Sequence, residues 1–142
     1  MLEQITSMMG GRAAESLIFS EMTTGASNDI EKASQLARNM VVEFGMSDLG
    51  PMGFGPKVDM TEWGSRYITE TKISQEMQGQ IDSEIKKIMD TCYKQAISIL
   101  TKLKKKLDLV ASELIKKETL ESEDFEKIMG SRPAVAILHP VM

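Results

Sequence analysis

The sequence predicts an all-α chain, a helical bundle of about four to five helices with one irregular Gly/Pro loop at about 49–70. Three observations lead there. Apolar residues recur every three or four positions through most of the 142 residues, the spacing that puts them on one face of a helix. Gly50, Pro51, Gly53, Gly55, Pro56 and Gly64 crowd between Leu49 and Tyr67, where a continuous helix cannot persist. Aromatic residues make up only 5% of the chain while methionines number 12. Methionine's unbranched side chain fills irregular gaps between helices, so an adaptable aliphatic core is favoured over a Met-rich recognition groove.

From Leu2 to Phe19 the apolar positions Leu2, Ile5, Met8, Met9, Ala13, Leu17 and Ile18 keep a helical period. Gly10-Gly11 interrupts it. A helical glycine costs about 1 kcal/mol relative to alanine, and close packing by a neighbouring element is the expected reason to accept that cost. Glu15, taken alone, reads as a solvated helix carboxylate.

Ser20–Ala26 is a linker of mostly small and polar residues in which Thr24-Gly25 suits unusual backbone dihedrals. Asn28 with Glu31 three residues on fits a capping box, and Ser27 or Thr24 serve equally as the cap. Ile30, Ala33, Ala37, Met40, Val41 and Phe44 then form an apolar stripe that Gly45 ends. Asp29 falls in the first turn of this helix. A carboxylate there is favoured by the exposed N–H groups and the helix dipole, and a helix is a stiff mount for a metal ligand.

Pro51 and Pro56 argue against a central strand in the following loop. A short extended piece at Met52–Phe54 fits, and Trp63 and Tyr67 are expected to pin the loop to the helices. The longest helix starts near Ser74 and carries Met77, Ile81, Ile85, Ile88, Cys92, Ala96, Ile99 and Leu103 on one face. Cys92 on that stripe reads as a small buried hydrophobe rather than a nucleophile. Lys102, Lys104, Lys105 and Lys106 read as solvated lysines complementing a helix C-terminus. A further helix holds Leu107, Val110, Leu114 and Ile115. A last one spans about Ser122–Met129 with Phe125 and Ile128 facing in, and Gly130 ends it. Residues 1–130 thus read as the folded portion and 131–142 as a disordered or partner-bound tail.

Composition narrows the function. A net charge of −4 and a pI near 5.1 leave a nucleic-acid role without electrostatic footing. The single cysteine excludes an internal disulfide framework. No apolar run reaches the roughly 20 residues of a membrane span, so the chain is expected to be soluble.

Several segments, in order and at matching spacing, resemble the proteolytic domain of the FtsH family, membrane-anchored ATP-dependent zinc metalloproteases. They are Met9-Gly10-Gly11-Arg12-Ala13-Ala14-Glu15, Thr23-Thr24-Gly25-Ala26-Ser27-Asn28-Asp29-Ile30, Ala37-Arg38-Asn39-Met40-Val41 and Phe44-Gly45-Met46-Ser47, continuing through Leu49-Gly50-Pro51 to Gly53-Phe54-Gly55. The resemblance is dense over 1–55, looser from about Ile73 to Met129, and absent in the last dozen residues. It implies that Asp29 is the third zinc ligand of a His-His-Asp site. It also implies that Glu15 supports a ligand rather than being one, with Ser16 where the family is often acidic. A zinc peptidase further needs two more protein ligands and a base, usually supplied by HExxH with its two histidines and Glu. The only histidine here is His139, in the tail. HExxH is therefore missing, and so is a Walker-type loop, leaving no catalytic residue in this chain.

The resemblance thus implies part of a peptidase domain, inactive alone, that meets the rest of the protein and sister subunits in a homo-hexamer. Zinc would belong to the intact protein, ATP and magnesium to an ATPase module outside this chain, and protein substrates to the assembly. Membrane contact would come only through other segments, with the peptidase facing the bacterial cytoplasm or an organellar compartment. The alternative is a non-catalytic helical module that assembles with or regulates protease subunits.

Overall fold

A computed structural model describes residues 1–19, 22–60, 66–69 and 72–130, with backbone alone at 57–60 and 66–69. Six helices are present among them, against four to five expected: α1 (Leu2–Met8), α2 (Gly10–Ile18), α3 (Ser27–Val42), α4 (Gln75–Lys102), α5 (Lys104–Lys117) and α6 (Ser122–Met129). The helical class stands. The extra helix comes from splitting the first predicted one at Met9. There the Met9 N–H still bonds the Ile5 carbonyl at 3.0 Å and the Ala13 N–H the Met9 carbonyl at 2.9 Å.

The chain divides into two compact units, Met1–Ile99 and Leu100 onward. In the first, α1 packs on α3 and Ile5, Met9, Ala13, Ala33, Ala37 and Met40 are buried. Alanines at these positions let helix backbones approach closely. A second cluster joins Val41 of α3, Phe54 and Ile81 of α4, with Leu49, Met77 and Ile85 packed against it. Cys92 is buried as expected, its thiol 3.6 Å from the Leu2 carbonyl. Gly10 and Gly11 do not have the tight packing expected of them: among the described residues nothing lies within 4 Å of a Cβ built at either.

The Gly/Pro loop is more ordered than predicted. Lys57–Met60 (β1) and Arg66–Thr69 (β2) pair antiparallel, Lys57 opposite Thr69 and Met60 opposite Arg66. Pro56 immediately precedes β1 and removes no ladder hydrogen bond, and a two-stranded sheet has no central strand for a proline to break. Gly45, at φ +60°, closes α3 while the Met46 N–H returns to the Met40 carbonyl at 2.8 Å. A side chain at Gly45 would press on the backbone of Pro51 and Met52 at 3.1 Å. The Phe54 N–H then bonds the Val42 carbonyl at 2.7 Å, which draws Phe54 into the core. Asp48 pairs with Lys87 of α4, and its N–H reaches Glu84 Oε2 at 3.3 Å. The expected anchors Trp63 and the Tyr67 side chain lie outside the described residues, as does the tail at 131–142.

α4 starts where the sequence places it, just after Ser74, which caps it with its Oγ accepting the Met77 N–H at 3.2 Å. Ser74→Ala should destabilise the chain by about 1 kcal/mol in urea unfolding, and Ser74→Asp should retain most of that stability.

The second unit buries none of the residues of α5 or α6 fully. Phe125, expected to face in, is half-exposed and lines a cavity of about 420 Å³ with Val110, Leu114, Leu120 and Met129. Lys104, Lys105 and Lys106 sit in the first turn of α5 rather than at a helix C-terminus. Lys102 does sit in the last turn of α4 as predicted, and Lys106 plays that part toward another helix: its ammonium donates to the Met129 carbonyl, at the end of α6.

Candidate functional site

The candidate residues Glu15 and Asp29 flank one turn. α2 carries Glu15, residues 23–26 form the turn, and α3 starts at Ser27 and places Asp29 in its first turn. The N-cap is Ala26, with no side-chain hydrogen bond. This corrects the expectation of a cap at Asn28, Ser27 or Thr24. The reason is burial: Ala26 is 4% exposed, so packing rather than a polar cap sets where the helix begins. The Ser27 N–H bonds the Thr24 carbonyl at 3.0 Å and the Ile30 N–H the Ala26 carbonyl at 3.0 Å.

Asp29 is exposed. Among the described residues its carboxylate has neither a hydrogen bond nor an ion pair. It lies in the turn whose free N–H groups favour negative charge.

Glu15 is engaged. Its Oε1 accepts the Thr23 hydroxyl at 2.5 Å, its Oε2 accepts the Thr23 N–H at 3.4 Å, and Arg12 Nη1 lies 3.4 Å from Oε2. The Thr23 hydroxyl bond holds the Glu15 carboxyl below its usual range. Desolvation works against that, and the Thr23 amide and the Arg12 charge add to it. Thr23 Oγ1 also accepts the Gly25 N–H at 3.1 Å.

Gly25 is not among the positive-φ glycines, which among the described residues are Gly45, Gly50 and Gly130. Its small size is what the turn uses: a Cβ there would stand 3.3 Å from Thr23 Oγ1 and 3.4 Å from Glu15 Oε1. Thr23 and Arg12 are site residues that the sequence does not single out. A threonine eight residues from a glutamate carries no periodic signal, and only the fold puts its hydroxyl on that carboxylate.

Beside this turn, Met9, Arg12, Met22, Ile30, Met89 and Tyr93 border a depression of about 260 Å³. Ile18, Phe19 and Met22 are exposed on the same stretch of chain, Met22 at 76%.

The described residues do not by themselves make up a zinc site. Among the described residues no three His, Cys, Asp or Glu side chains converge, and structural or catalytic zinc takes at least three protein donors. No helix among them is long and apolar enough to cross a membrane.

The family model described as peptidase family M41 matches residues 1–128. The chain is 46% identical over 130 residues to the ATP-dependent zinc metalloprotease FtsH of Pseudothermotoga lettingae, covering 91% of this chain and 21% of that protein. It is 40% identical over 131 residues to the protein of the same name from Thermotoga maritima, covering 92% and 22%. The Bacillus subtilis protein of that name is 41% identical over 131 residues, covering 91% and 21%. The chain therefore spans about a fifth of the length of the curated relatives it matches.

Proposed function

Because this chain belongs to peptidase family M41, we propose that it forms part of the proteolytic domain of an ATP-dependent zinc metalloendopeptidase that degrades membrane and unfolded proteins. Asp29 supplies the third zinc ligand, and an HExxH segment outside these residues supplies the two histidines. Zinc held by all three contributes the Lewis-acid chemistry of peptide hydrolysis. The chain's own contribution is to fix the direction of one carboxylate and to offer a surface on which the histidine-bearing segment can pack.

One observation carries the assignment of Asp29. Among the described residues it is a carboxylate without a partner, in the first turn of α3, a helix locked into the core by the buried Ala33, Ala37, Met40 and Val41. A ligand needs this combination of a free side chain and a rigid base. The exposed Ile18, Phe19 and Met22, with the depression beside Arg12, support contact with a further segment. On this reading the chain's helices also help to pack sister subunits into a homo-hexameric ring. ATP and magnesium act through an ATPase module, and the parent protein is anchored in a membrane with its peptidase facing the bacterial cytoplasm.

Alone, the chain binds no stoichiometric zinc and cuts no peptide. Mass spectrometry of the zinc-titrated 142-residue chain should find well under one zinc per chain, while a protein joining these residues to HExxH carries one. A full equivalent in the isolated chain would overturn the shared site. The second reading, a non-catalytic module that assembles or regulates protease subunits, draws on the lack of three converging donors among the described residues. It predicts that joining HExxH restores neither zinc nor cleavage.

A further inference from the structure

Asp29 rides on a helix end that is weakly held by its own residues. The first turn of α3 has no side-chain cap, and the first amides of a helix lack intrahelical partners, so such a turn frays readily. What ties it down is the segment before it. Thr23 donates its hydroxyl to Glu15 Oε1 at 2.5 Å and its N–H to Oε2 at 3.4 Å, and its oxygen accepts the Gly25 N–H at 3.1 Å. Arg12, 3.4 Å from the same carboxylate, steadies Glu15 from within α2. A charged acceptor makes the Thr23 hydroxyl bond stronger than a neutral pair. Gly25 lets the carboxylate come close, because any side chain there would meet both oxygens of that bond.

We propose that Thr23 is a positioning residue for the metal site: its hydroxyl joins the Glu15 carboxylate to the Gly25 amide and so fixes the first turn of α3, and with it Asp29. This rests on the assignment of Asp29 as a ligand. It gives Glu15 and Arg12 a defined task, holding the turn rather than meeting the metal.

The test pairs Thr23→Val, which removes the hydroxyl and keeps the shape, with Thr23→Ser, which restores it. In the full 142-residue chain, amide exchange at Gly25 should quicken about five- to tenfold in Thr23→Val. The effect should spread into the first turn of α3 and leave exchange beyond Ala33 unchanged. Thr23→Ser should exchange like the parent. In the protein that carries HExxH, Thr23→Val should weaken zinc binding roughly 10- to 100-fold, the range seen when a residue behind a ligand is lost, and Thr23→Ser should rescue it. Unchanged exchange at Gly25 in Thr23→Val overturns the proposal. So does unchanged zinc affinity in Thr23→Val alongside lost zinc in Asp29→Ala. If Asp29→Ala itself keeps zinc, the ligand assignment fails, and the exchange comparison still decides what Thr23 does to the turn.

Discussion

Asp29→Ala, made in a protein that joins these residues to HExxH, should abolish peptide cleavage and strip most of the zinc while the oligomer still assembles. Two imidazoles alone leave the metal one protein donor short of a catalytic site. The loss should therefore exceed the roughly 10- to 100-fold produced by removing a residue that only supports a ligand. The fold should survive, because Asp29 is exposed and, among the described residues, holds no partner whose loss would propagate. Zinc content, peptide turnover and sedimentation on the same preparation separate these effects. Retained cleavage would remove Asp29 from the site, and loss of the oligomer would make it a structural residue.

Ile81→Ala should be among the most damaging truncations in the core. Ile81 is 1% exposed and packs between Val41 of α3 and Phe54 of the Gly/Pro segment, so it joins three separate stretches of chain. Truncating a buried isoleucine to alanine costs about 2–5 kcal/mol. For a unit of this size that lowers the thermal midpoint by about 10 °C or more. Ile115→Ala is the control. At 82% exposure, it should stay within about 0.5 kcal/mol of the parent. A loss under about 1 kcal/mol for Ile81→Ala in urea unfolding, well below the usual range, would mean that Val41 and Phe54 close the gap. The loop would then not be tied to the helices through this cluster.

Much of the fold is legible in the sequence itself. On the α4 stripe Ile81, Cys92 and Ala96 are buried where the period puts them, Ile85 and Ile88 partly so, while Ile99 is exposed, and Ser74 caps α4. Helix interiors and serine caps are local matters, governed by neighbours three or four residues away. The departures mostly involve partners far away in sequence. Burial of Ala26 moves the start of α3. Phe54 is buried as a further anchor of the Gly/Pro segment because the bend at Gly45 delivers it to the Val42 carbonyl. The β1–β2 pair is not legible because its strands are only four residues long: Lys57–Met60 alternates polar and apolar residues, but Arg66–Thr69 does not, and so short a run beside prolines and glycines gives no clear period.

For the candidate site, the residues by themselves read only as helix carboxylates, and it is the resemblance to the FtsH family that singles out Asp29 and Glu15 as expected parts of a zinc site. Only the tertiary structure decided that Glu15 is spoken for by Thr23 and Arg12 while Asp29 has no partner among the described residues. The physical reason is that a hydrogen bond depends on where a fold brings two atoms. An isolated carboxylate and a tethered one look alike until the turn between α2 and α3 is built.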